Sequence, residues 1–143
     1  MAFRGRKGPS LSLAIAVGAA LALGSGTSLA QDEEKPYEIR DGKVDQGTYN
    51  GFRRYHASCH TCHGPDGLGS SYAPSLVDSL KTMSYEDFAE VVINGRENLA
   101  AGQEKVMPGF GMVNDVAMYI DDIYGYLQAR ADGVLGRGRP ERF

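Results

Sequence analysis

Three stretches of the chain carry apolar residues at helical spacing. The first covers residues 46–59, where Tyr49, Phe52, Tyr55 and Cys59 form a stripe and Tyr55 and Cys59, four apart, share a face. In the second, Ser84-Tyr85-Glu86-Asp87 resembles a capping box, Phe88, Val91 and Val92 lie on one face, and Asn94-Gly95 is a stop, so a helix is predicted over 85–94. The third is capped by Asn114 or Asp115. It repeats Val116, Ile120, Ile123 and Leu127, with Tyr119 and Tyr126 alongside, Asp121 and Asp122 on the wet side, and Gly133 at its end. Between these lie a turn-rich loop from His63 to Leu76 and a stretch over 96–113 with no clear periodicity. No internal repeat is present. The pattern predicts an all-α domain over 46–132, with about three main helices and long loops.

The ends read differently. Residues 1–30 have the layout of a secretory signal peptide: Arg4, Arg6 and Lys7, an apolar run over 11–23, then Ser28-Leu29-Ala30. The run is shorter than the ~20 residues a spanning helix needs, so cleavage after about Ala30 and no membrane span thereafter are expected. Residues 31–45 are mostly polar and read as an arm. Residues 133–143 contain Arg137, Arg139 and Arg142 and read as a basic flexible tail. Loss of residues 1–30 removes three of the 15 basic residues and none of the 18 acidic ones, leaving a formal charge of −6. So acidic a chain is not expected to bind nucleic acid, which selects a basic surface.

The chemistry concentrates in Cys59-His60-Thr61-Cys62-His63, which holds both cysteines of the chain. Two thiols separated by two residues, followed directly by histidine, read as a c-type haem attachment site. The thiols would add across the haem vinyl groups, and His63 would meet the iron. A redox disulfide would want a βαβ setting, and a zinc site would want two further ligands; neither is visible. One covalent haem c would also supply core that so short a chain lacks. A metal-bound imidazole usually donates its second N–H, and the Pro74 carbonyl is the candidate acceptor. Leu76 would pack on the haem. For the sixth iron position the candidates are Met83, Met107, Met112 and Met118. Met83 and Met118 read as core. Met107 is preferred because Pro108 stiffens the chain after it, with Met112 second. The 96–113 stretch would fold over the open haem face. A six-coordinate site carries electrons; a haem enzyme or small-ligand sensor with an open or displaceable sixth position is the alternative.

Gly51, Tyr55, Cys59 to Gly64, Ala73-Pro74-Ser75-Leu76, Met107-Pro108 and Tyr126-Leu127 resemble, in order, the class I c-type cytochromes, over about residues 47–130. The resemblance implies the cytochrome c fold, and close approach of a second helix at Gly51. Thr48 to Gly51, Arg53 to His56, Leu80 to Tyr85 and Tyr119 to Tyr124 further resemble the methanol-metabolism-related, cytochrome c(L)-type partners of lanthanide-dependent PQQ methanol dehydrogenases. That likeness implies a periplasmic carrier, not an enzyme. Its electron donor would be a PQQ-dependent methanol or alcohol dehydrogenase. Its acceptor would be a downstream cytochrome or oxidase. A generic carrier for another dehydrogenase is the broader form of the same reading.

Overall fold

A computed structural model of the protein describes residues 34–98 and 105–143. The expected signal peptide lies outside the described residues. Those described belong to one compact unit, residues 33–143.

The chain begins with a two-stranded hairpin, β1 (Ile39–Arg40) and β2 (Lys43–Val44), turning through Asp41 and Gly42 at φ 48° and 76°. Positive φ at both central residues is the type I′ turn that suits hairpin twist. Asp45 then caps α1 (Gln46–Ser58), accepting from the Thr48 backbone N–H at 3.0 Å and the Thr48 hydroxyl at 2.6 Å. After α1 come the short α2 (His60–His63), a 3₁₀ turn at Pro65–Gly67, and α3 (Leu76–Ser79). The predicted α4 (Tyr85–Asn94) is present, and the Ser84 hydroxyl accepts from the Asp87 N–H at 3.1 Å.

The third predicted helix is two helices, α5 (Asn114–Ala117) and α6 (Ile120–Ala131). Tyr119 leaves helical geometry at φ −124°, ψ 24°, with the Arg54 guanidinium 3.6 Å from its ring centroid. The N-cap is Val113, not Asn114 or Asp115. Apolar periodicity is nearly blind to one non-helical residue, so it ran through the break.

The core is the crossing of α1 and α6, the most extensive contact between elements. Tyr55, Ile123, Tyr126 and Leu127 are fully buried there with Val44 and Val116. Gly51 makes the crossing possible: a Cβ on it would stand 1.8 Å from the Asp122 carbonyl oxygen. This is the close approach implied at that position.

Neither end of the described unit is loose. The Tyr37 hydroxyl donates to Asp132 at 2.6 Å and Lys35 pairs with Asp132 at 3.0 Å, so the expected arm is docked on the end of α6. The expected flexible tail is docked too. Leu135 is buried, the Val44 N–H donates to the Glu141 carbonyl at 2.8 Å, and the Phe143 N–H returns to the Val44 carbonyl at 3.2 Å. Basic composition says nothing about backbone pairing.

Candidate functional site

The last turn of α1 leads straight into the cysteine motif. The Cys59 N–H donates to the Tyr55 carbonyl at 2.8 Å; the Cys62 and His63 N–H groups donate to the Cys59 carbonyl at 3.2 and 3.0 Å. One helical turn therefore carries both thiols and the imidazole. Both cysteines are unbridged; Cys59 is half-buried against the core and Cys62 is exposed.

His63 is buried, and its Nδ1 lies 3.0 Å from the Pro74 carbonyl oxygen. A carbonyl can only accept, so the proton is assigned to Nδ1, which leaves the lone pair on Nε2. Among the described residues Nε2 has no partner. This is the arrangement that orients a metal-binding imidazole.

The loop that supplies Pro74 is closed tightly on the motif. The Gly69 N–H donates to the His63 carbonyl at 2.7 Å, the Ser70 hydroxyl to the Cys62 carbonyl, and the buried Tyr55 hydroxyl to the Gly64 carbonyl at 2.5 Å. Gly64 sits at φ 75°, and a Cβ on it would lie 2.2 Å from the Gly69 carbonyl oxygen. Only glycine fits such a position without strain. Leu76 opens α3, half-buried against the core, with Ser75 as its cap.

A second clamp comes from the tail and α6, and sequence reasoning missed it. Asp66, nearly fully buried at φ 60°, accepts from the Arg137 Nε at 3.2 Å and the Gly138 N–H at 3.0 Å. Arg130, also buried, donates to the Asp66 carbonyl at 3.3 Å and to the Leu135 carbonyl at 2.6 Å. Burial pushes the Asp66 carboxyl up, but the Gly138 N–H, Arg137, Arg130 and His56 together hold it below the ordinary range. The only available signal was an aspartate between Pro65 and Gly67.

The described parts of the 96–113 stretch, residues 96–98 and 105–113, include paired strands that the pattern did not suggest. β3 (Arg96–Asn98) pairs antiparallel with β4 (Lys105–Met107), with Arg96 opposite Met107. The Phe110 and Gly111 N–H groups then donate to the Val92 and Ile93 carbonyls at 2.8 and 3.1 Å, pinning the following loop to the end of α4. Met107 is half-buried and packs on the core, as do Met83 and Phe110. Met112 is 96% exposed. Met118, expected in the core, is 77% exposed, at the C-cap of α5 just before the break at Tyr119.

The donor set fits a covalent haem better than the other uses of two cysteines. Burial first, and the neighbouring Cys62 second, push the Cys59 thiol up to about 11. A redox-active pair needs its thiol shifted the other way. Among the described residues no group of three or more His, Cys, Asp or Glu could hold a metal ion. Two thiols on one turn beside an imidazole with a free Nε2 suit two thioethers and one iron ligand.

Known proteins agree. The profile of the family described as "Cytochrome C oxidase, cbb3-type, subunit III" matches residues 46–127. Cytochrome c-553I of Paracoccus denitrificans is 52% identical over 107 residues, 74% of this chain and 47% of the relative. Cytochrome c-555 of Methylococcus capsulatus is 44% identical over 100 residues, 69% of this chain and 75% of the relative. The crystal structure of the c-type cytochrome XoxG from Methylobacterium extorquens AM1 superposes with a TM-score of 0.68 at 52% identity, covering 74% of this chain and 65% of that one. The chain thus spans about half the length of cytochrome c-553I and under two thirds of the XoxG chain. With the fold, the cysteine motif and these relatives in agreement, the chain belongs to the c-type cytochromes, which carry covalently attached haem c, and it has one motif for one haem.

Proposed function

We propose that this chain is a periplasmic one-electron carrier that takes electrons from a PQQ-dependent methanol or alcohol dehydrogenase and passes them toward a terminal oxidase. The observation that carries the reading is the His63 imidazole, buried and oriented by the Pro74 carbonyl, on the turn that bears both thiols. In this reading Cys59 and Cys62 hold the haem, His63 and Met107 are the two iron ligands, and Leu76 packs on the ring. The haem supplies reversible one-electron exchange at iron. The chain's own residues keep the imidazole in one tautomer, hold the loop closed, and bring up a thioether, which raises the potential.

Met107 is supported over Met112 by burial: a ligand to a buried iron has to reach inward, and Met112 stands in solvent. The dehydrogenase rests on the likeness of the first and third helical regions to the methanol-related cytochromes. Export rests on residues 1–30 and on the chemistry of thioether attachment, which takes place outside the cytoplasmic membrane. Among the described residues no helix is long and apolar enough to cross a membrane.

The test is stopped-flow reduction of the ferric holoprotein by a purified PQQ-dependent methanol dehydrogenase with methanol, across a salt series. Reduction that slows as salt rises is expected, because screening shortens to about 8 Å at physiological ionic strength. No reduction at any salt, by a dehydrogenase active toward its own cytochrome, overturns the donor assignment and leaves a generic carrier.

A further inference from the structure

The docked tail and α1 border an open, shallow depression lined by Tyr49, Arg139, Pro140, Glu141 and Arg142. The Arg139 guanidinium donates to the Tyr49 hydroxyl and lies 5.6 Å from its ring centroid. The Arg142 guanidinium donates to Gln46 and lies 5.5 Å from the same ring. Neither arginine has a carboxylate partner among the described residues. The other cations of this side do: Arg40 pairs with Glu38, Lys43 with Glu141, and Arg137 with Asp66. Glu141, the acid in the lining, is thus offset by Lys43 at 3.5 Å. Arg53 is exposed, stands one turn beyond Tyr49 on the same helical face, and is likewise without a carboxylate partner among the described residues.

We propose that this face, centred on Tyr49, Arg139 and Arg142, is the docking site for a carboxylate-rich surface of the protein that exchanges electrons with this cytochrome. The proposal rests on the reading of the chain as an electron carrier. Charge complementarity selects the occupant. The chain is acidic overall, with 18 acidic and 15 basic residues, so it repels an acidic partner in most orientations. Unpaired arginines gathered around one ring reverse that locally and set the orientation of encounter. Arginine suits the task because its planar fork takes a carboxylate through two hydrogen bonds.

Two features make the face a prepared one. The backbone that presents it is pinned through Val44 to Glu141 and Phe143 and through Asp66 to Gly138, so little ordering remains for binding. It is also joined to the cysteine motif by packed rings. Tyr49 to Phe52, Phe52 to His56 and His56 to His60 have centroids 6.2, 4.3 and 5.8 Å apart.

Deleting the tail is the wrong test, since that also removes Leu135 and the Arg137 contact to Asp66. The experiment is a titration of the isotopically labelled holoprotein with poly-L-glutamate, followed by two-dimensional NMR. It is run on the natural chain, on Arg139→Gln/Arg142→Gln, and on Arg53→Gln, an exposed position of α1. Shifts are expected to cluster on Gln46, Tyr49, Arg139 and Arg142. The double variant should bind about tenfold more weakly, with a flatter salt dependence, and Arg53→Gln should weaken binding by a smaller factor. Unchanged affinity in both variants, or shifts centred on Leu68, Met112 and Met118, overturns the proposal. So does an equal response to inorganic phosphate at matched concentration, which marks a free oxyanion site. If poly-L-glutamate binds as expected while methanol dehydrogenase fails to reduce the protein, the donor assignment falls and the docking face stands.

Discussion

The two sides from which the iron would be held are built to different standards. On the His63 side the imidazole is buried and bonded to Pro74, its loop is closed by Tyr55, Ser70 and Gly69, and the loop is clamped again by Asp66 to the tail. On the Met107 side the sulfur is carried by a two-stranded hairpin, packs on the core, and is followed by a loop pinned to the end of α4 through the Phe110 and Gly111 N–H groups. Val106, Met112, Val113 and Met118 are exposed. The contrast teaches a division of labour. The thioethers and the histidine need one fixed geometry, and the chain commits its core to that. In the proposed reading the Met107 thioether would need only to be within reach, which a hairpin can provide.

The largest effect should come from the cysteines. Cys59→Ala or Cys62→Ala should cut the yield of holoprotein to a small fraction, because the haem they are proposed to hold would be part of the core. Acid–acetone extraction should leave haem on the natural chain. Complete extraction of haem from protein matured in an export-competent host would sink the covalent reading.

Gly51→Ala comes next. The added methyl meets a backbone carbonyl that cannot turn aside, so α1 and α6 must part. We expect a loss of about 3 kcal/mol in urea unfolding. A change under about 1 kcal/mol would show that the crossing is soft.

Asp66→Asn tests the clamp on the His63 side and should cost about 2 kcal/mol at neutral pH, the scale of hydrogen bonds to a charged group. The sign with pH is set by the lowered carboxyl. Its contribution is fully present above its unfolded value, ~3.9, and is lost as pH falls through the folded value. The gap between natural and variant protein should therefore close in acid. A gap of constant size down to that range would assign the effect to packing instead.

Met107→Ala should disturb stability least of these, by about 1 kcal/mol for a half-buried side chain, while changing the iron most visibly. The weak near-infrared Met-to-iron band should vanish, the potential should fall, and carbon monoxide should bind. Met112→Ala should leave all three unchanged. The opposite result for the pair would move the ligand to Met112. Carbon monoxide binding to the natural ferrous protein would favour the sensor or enzyme alternative.

Much of this was legible from local signals. The cysteine motif, the capping serine at Ser84, the stop at Gly95 and the Pro74 partner depend on residues close in sequence, where spacing alone limits geometry. The hairpin at Ile39–Val44 was also signalled, by Asp41-Gly42, though polar composition around it read as an arm. The β3–β4 hairpin carried no such signal, because its three-residue strands are too short to show an alternation.

What the sequence by itself determined is the chemistry and the register of the helices: which residues can bond a haem, and which faces are apolar. Only the tertiary structure decided how the ends are held and where the charges go. Asp66 meets Gly138 across 72 positions and Arg139 meets Tyr49 across 90. Such pairings cost loop-closure entropy that grows only slowly with separation, so no local pattern announces them. They form because the crossing at Gly51 brings α1 and α6 together, and the chain leaving α6 has the Asp66 loop and α1 within reach.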